Sequence, residues 1–186
     1  MFVGLFNRSV VRIDEKLQVS SFPKFPGYVQ ALSVYNDRLY ILVSGSPCTV
    51  HVYKTCGEFV TKWNHNDNTR YISGLAVVSD QVVVPDRQNK QLVVYTLSGQ
   101  LVKSISCPLS KGDVSLCAAG ADCVIVSDYE TDKVFNVCIA TGEVKWTLSV
   151  ADPLGVSCYG QKSVMVDTYK TGIHILDTDT GWYSYI

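Results

Sequence analysis

Residues 81–105, QVVVPDRQNKQLVVYTLSGQLVKSI, hold three strand-like runs separated by two turns, and three other stretches repeat the plan. The marker is the glycine at the second turn. Gly57, Gly99, Gly142 and Gly181 recur at intervals of 42, 43 and 39 residues. Apolar runs precede each of them (TVHVYKTC, QLVVYTLS, KVFNVCIAT, GIHILDTDT), and a second set follows (EFVTKW, QLVKSI, EVKWTL, WYSYI). The apolar pattern has period two or is continuous over a short run, which is the mark of strands and not of helices. A strand-built repeat of about 40 to 45 residues marks a propeller blade.

Working outward, two more runs complete each repeat. YVQALSV, YISGLAVV, DVSLCAA and PLGVSCY contain small residues (Ala31, Gly74, Ala118, Gly155) and suit the crowded innermost strand. RLYILVSG, QVVVPD, DCVIVSD and SVMVDT are rich in β-branched residues, as a strand covered on both faces should be. Complete blades are therefore expected at 27–63, 70–105, 112–148 and 152–186. Residues 1–22 supply a second, third and fourth strand without an inner one, and 22–26 read as a linker. The fold class expected is an all-β propeller domain of four-stranded antiparallel blades. Four would be complete and one partial, belonging to a six-bladed ring in a longer protein. A five-bladed ring is the competing arrangement, and the apolar surface a missing inner strand would leave at the axis argues against it.

Bulk properties narrow the function. Of the 186 residues 47% are hydrophobic and 18% charged, which excludes disorder. The net charge of -1 gives no overall footprint for nucleic acid or an anionic membrane. No apolar run reaches the roughly 20 residues needed to span a bilayer. Seven cysteines with no C-x-x-C pair give no metal-ligand spacing, and they favour a reducing, cytoplasmic setting. No nucleophile-elbow, zinc-protease or phosphate-loop motif is present, so neither catalysis nor a cofactor is expected.

The strand-end acids Asp86, Asp128 and Asp167 are expected to cap turn amides and not to gather round a cation. His51 and His174 occupy corresponding third-strand positions and diverge round a ring, while His65 falls in a polar inter-blade segment. Loops between second and third strands share one face with those between fourth and first strands. That face is expected to present Arg8, Arg70, Arg87, Lys90, Lys111, Tyr129, Tyr169 and Lys170. Arginine with tyrosine is the composition of a recognition surface for a protein partner. Basic residues beside aromatics also suit single-stranded RNA, but Asp67, Asp113, Glu130, Asp132 and Asp152 on the same face offset the charge.

Residues 81–105 resemble the NHL repeat at Val84, Asp86, Asn89, Leu92, Val94, Tyr95 and Gly99. The stretch from Val124 keeps Asp128, Val137 and Gly142; the last repeat keeps Asp167 and Gly181 with a one-residue register difference. The first repeat departs furthest, with Ser44-Gly45 where the acid is expected. The resemblance implies an interaction module, of the kind found at the C-terminal end of tripartite-motif proteins that act as ubiquitin ligases or RNA-binding regulators. RING and B-box zinc-binding spacings are absent here, so ligase chemistry would lie in other sequence. An enzymatic propeller of the lactonase or lyase type would need a metal on the axis, for which the inner strands offer few ligands.

Overall fold

A computed structural model describes residues 1–5, 8–65, 74–159, 162–170, 172–181 and 183–185, with the side chains of 159 and 183–185 left aside. The chain forms five antiparallel sheets in which every strand pairs with its neighbour in sequence. Blade 1 has β1 (Phe2–Leu5), β2 (Ser9–Ile13) and β3 (Val19–Ser21); blade 2 has β4 (Val29–Tyr35), β5 (Arg38–Val43), β6 (Cys48–Lys54) and β7 (Phe59–His65). Blade 3 has β8 (Ala76–Val78), β9 (Gln81–Asp86), β10 (Gln91–Thr96) and β11 (Leu101–Ser106). Blade 4 has β12 (Val114–Ala119), β13 (Cys123–Asp128), β14 (Lys133–Cys138) and β15 (Val144–Ser149). Blade 5 has β16 (Pro153–Tyr159), β17 (Ser163–Thr168), β18 (Gly172–Asp177) and β19 (Tyr183–Tyr185).

The expectation of four blades plus part of another in a six-bladed ring is thereby corrected to a five-blade arrangement, the first blade three-stranded. The reason lies in residues 22–26, which are not a mere linker, because two of them are core. Phe22 and Phe25 are buried with Val10 against Leu39, Ile41, Val43 and Tyr53 of blade 2. The first three strands thus own a complete interface. Turn geometry fixes their places in the blade. Arg8, Lys90 and Asp132 all adopt left-handed backbone, φ 67°, 52° and 53°. Their carbonyls accept from Phe25 N–H at 2.8 Å, Cys107 N–H at 2.9 Å and Val150 N–H at 3.0 Å respectively. Arg8 therefore marks a turn between second and third strands.

The hydrophobic core is four separate layers, each lying between consecutive blades. Second and third strands supply most of it: Val82, Val83, Val84, Leu92 and Val94 are all without solvent exposure. Alternate side chains point to opposite faces, so an uninterrupted run of Val and Leu is what a sheet covered on both sides requires. First strands join the blades in two-residue hairpins at Asn36-Asp37 and Ser79-Asp80, all four residues at positive φ. Such turns match the right-handed strand twist, and Asn and Asp tolerate their torsions. Among the described residues β8 pairs only with Gln81, Val82 and Val83, so Pro85 has no partner on that side whose ladder bond it would break.

The marker glycines combine two requirements. Gly57, Gly99, Gly142 and Gly181 have φ of 100°, 91°, 79° and 72°, in the turn between third and fourth strands. Three of them also lie against a fourth-strand side chain of the preceding blade. A Cβ on Gly99 would stand 2.4 Å from the Trp63 ring, and one on Gly181 3.0 Å from Trp146; Gly142 would meet Ile105 at 3.4 Å. Gly57 meets nothing within 4 Å.

Gly57→Ala should therefore cost only backbone strain, about 1–2 kcal/mol. Gly99→Ala should add about 1–3 kcal/mol of overpacking against Trp63. Urea denaturation of both variants checks this, and equal losses would show that the tryptophan contact contributes nothing.

Candidate partner-binding face

One end of the molecule gathers the connections between second and third strands together with those between blades. The two sets of loops are sewn to one another. Asp128, fully buried at the end of β13, accepts from Ser110 N–H at 2.7 Å and Ser110 Oγ at 2.6 Å. Lys111 N–H donates to Glu130 Oε2 at 3.2 Å, and Tyr129 N–H to Asp113 O at 3.1 Å. In blade 5 Tyr169 N–H donates to Asp152 O at 3.1 Å, and Lys170 Nζ pairs with Asp152 Oδ2 at 2.9 Å. Asp152 N–H in turn reaches Asp132 Oδ1 of blade 4 at 2.8 Å. The loops are held at both sides by neighbouring blades, so they present side chains from a fixed backbone.

Among the described residues, three tyrosines stand out of this end. Tyr169 is 74% exposed, Tyr28 50% and Tyr129 37%. Tyr28 carries the Arg8 guanidinium over its ring, 5.1 Å from the centroid. Lys170 lies within electrostatic reach of Tyr129, which links the tyrosines of blades 4 and 5; ion pairing with Asp152 raises the lysine's pKa. Leu154, at 37% exposure near the start of β16, adds an apolar side chain to this end. Lys90 and Lys111 are also exposed.

Arg87 departs from expectation. It is 3% exposed, and its guanidinium donates to the Gly112 carbonyl, so it braces a loop and does not face a partner. Arg70 lies outside the described residues, as do Asp67 and Trp182. Asp167 is exposed, and the buried position matching Asp86 and Asp128 belongs to Thr168, whose Oγ1 donates to Gly172 O at 2.8 Å. Tyr28 and Leu154 belong to the face although the sequence did not single them out. Tyr28 was hidden because the run YVQALSV put it in the innermost strand, whereas β4 begins one residue later at Val29.

A second polar constellation lies between blades 2 and 3, in a cleft of about 400 Å³. His65, 1% exposed and not in a solvated segment, ends β7. Its Nε2 lies 3.1 Å from Pro85 O and its Nδ1 2.9 Å from Tyr95 Oη. Because a carbonyl can only accept, Nε2 carries a proton, and in the neutral ring the tyrosine hydroxyl then donates to Nδ1. Asp86 beside them accepts from Asn89 N–H at 3.1 Å, Asn89 Nδ2 at 2.7 Å and Gln91 Nε2 at 2.9 Å. Burial opposes its charge, but those donors and His65 outweigh it and hold its pKa below the ordinary carboxylate value. Burial pushes the Tyr95 phenol up to about 12. The acid is consumed by its own turn, which makes this a structural network. A wider hollow of about 710 Å³ under blade 1, lined by Met1, Arg12, Asp14 and Leu17 among others, opens at the opposite end.

No family model matches the sequence, and no curated protein is similar to it. Solved structures do resemble it. The WD40 β-propeller domain of Doa1 superposes on 100% of this chain and 64% of its own, at TM-score 0.77 and 13% identity. Virginiamycin B lyase from Staphylococcus aureus covers 97% of this chain and 64% of its own, at TM-score 0.76 and 12% identity. The Pan2 WD40 domain of Neurospora crassa covers 98% and 60%, at TM-score 0.75 and 13% identity. The chain has a β-propeller fold. At these identities the likeness is one of architecture, and the chain spans less than two thirds of the length of each of the three structures.

Burial, and to a lesser degree the Lys62 charge, lowers the pKa of His51 below its ordinary value. The unfolded chain then binds a proton more readily than the folded one, so stability rises with pH across that interval. The thermal midpoint should fall as pH drops from about 6.5, and again in the acid range where Asp86 is protonated. His51→Leu should flatten the first step only. An unchanged profile in that variant would remove His51 as its origin.

Proposed function

We propose that this propeller is a non-catalytic interaction module that binds a protein partner through its loop face. The observation that carries the reading is Tyr169, largely exposed on a turn fastened by its own backbone bond to Asp152 and by the adjacent Lys170–Asp152 pair. A rigid aromatic loses little conformational freedom on binding and makes a strong anchor. Tyr28, Tyr129 and Leu154 extend the apolar contact. Basic and acidic side chains alternate around it, which suits a protein surface of mixed charge better than a polyanion.

The NHL-like pattern of residues 81–105 supports the same class of role, as the recognition part of a longer cytoplasmic protein of the tripartite-motif kind. WD40 domains among the similar folds accord with it. A lyase is also among them, but fold alone carries no active-site residues from one chain to another.

A photo-crosslinking amino acid at position 169, with a control at Leu101 on the outer strand β11, tests the proposal in extract of the source cells. Discrete protein adducts at 169, absent at 101 and lost with Tyr129→Ala, are expected. For the partner so captured, Tyr169→Ala should cost about 2 kcal/mol or more. Raising salt from about 50 to 200 mM should weaken binding less than tenfold, whereas a phosphate-contacting RNA site loses on the order of a thousandfold or more. Nuclease-sensitive adducts with that steep response would replace the protein reading by RNA, and equal adducts at 169 and 101 would remove the face altogether.

A further inference from the structure

The end of blade 4 opposite the tyrosine face brings together three donor side chains that the sequence keeps apart. Cys123 opens β13 and Cys138 closes β14, and the two face each other as direct cross-strand partners. Asp122 precedes Cys123 in the turn from β12. The two sulfurs and the Asp122 carboxylate lie within 4.8 Å of one another. Asp122 Oδ1 is 3.3 Å from Cys123 Sγ, and its Oδ2 is 3.6 Å from Cys138 Sγ. Both cysteines are buried, at 4% and 5% exposure, while Asp122 is half-buried and opens the cluster to solvent. Neither cysteine is in a disulfide.

These separations are those of a soft-metal site. Zinc bonds of about 2.3 Å to sulfur and 2.0 Å to carboxylate oxygen, at the tetrahedral angle, put S and O about 3.5 Å apart and two sulfurs about 3.8 Å apart. The two S–O separations already fit that geometry, and the sulfurs, within 4.8 Å of each other, have to close by about 1 Å at most. Charge supports it as well. Two thiolates and a carboxylate bring three negative charges, and a divalent cation with the neighbouring Lys145 ammonium, within hydrogen-bond reach of Cys123, brings three positive ones. The calcium alternative fails on ligand type, because hard cations take oxygen donors and two of the three atoms here are sulfur.

We propose that Asp122, Cys123 and Cys138 form a binding site for a thiophilic divalent cation, Zn2+ above all, with water in the fourth position. Binding would tie the β12–β13 turn to the end of β14 and clamp the blade at the end opposite the tyrosine face. This site is independent of the tyrosine face, so either proposal can fail without the other.

The test uses Co2+ as a spectroscopic probe on the whole chain, reduced and stripped of metal under nitrogen. One equivalent should produce tetrahedral visible bands and a thiolate-to-cobalt charge-transfer band, and one equivalent of Zn2+ should bleach both. The double variant Cys123→Ser/Cys138→Ser should lose the band, while Cys158→Ser keeps it. Asp122→Asn retains both thiols and lies in a turn, so it guards against a folding defect; its Co2+ affinity should drop about tenfold or more. Zn2+ should also shield Cys123 and Cys138 from alkylation while the exposed Cys56 reacts as before. No charge-transfer band in the folded reduced protein, a band that survives loss of both cysteines, or full affinity in Asp122→Asn would each overturn the site.

Discussion

The three middle sheets of this protein, blades 2 to 4, have two apolar faces each, and neither can be left to water. That constraint organises the rest of the molecule. Side chains alternate along a strand, so a run such as Val82-Val83-Val84 sends apolar groups both ways and demands a neighbour on each side. The neighbours are other blades, and the core becomes a series of layers in place of one centre. At the N-terminal side, where one blade has three strands, Phe22 and Phe25 bring the volume that closes the layer against blade 2.

Inter-blade packing also positions the candidate face. The loops at that end fasten adjacent blades: Ser110 is bonded to Asp128, Arg87 to Gly112, and Asp152 to both Asp132 and Lys170. Side chains that are consumed in this way, Arg87 and Asp128 above all, become unavailable to a ligand. Those that remain outside are the tyrosines and a few lysines, presented by backbone that the layers beneath keep still. Exposure and inter-blade bonding thus fall to different residues of the same short loops.

The repeat was legible because its markers answer to local physics. A glycine at positive φ in a tight turn is required by the torsion itself, whatever surrounds it, and so Gly57, Gly99, Gly142 and Gly181 stand out in the string. Properties that depend on what lies across a blade boundary were not legible. Arg87 has the same letter whether it reaches solvent or a carbonyl of the next loop. The shift from Asp167 to Thr168 turns on which of two adjacent residues points inward, a matter of strand register that a one-residue slip reverses. His65 sits among polar letters and yet is enclosed, because Tyr95 and the Pro85 carbonyl come from another blade. Cys123 and Cys138 are distant in sequence, and only the hairpin makes them neighbours.

Strand order within each sheet follows the chain without a single crossover. Each blade is a meander that needs nothing from residues further along to make its own hydrogen bonds. Loop closure for such pairings is entropically cheap, and contacts of short sequence separation form quickly. During synthesis a blade can therefore assemble as it leaves the ribosome and wait only for the next to cover its open face. Each new sheet, once paired, can serve as the lid for the apolar face of the one before it.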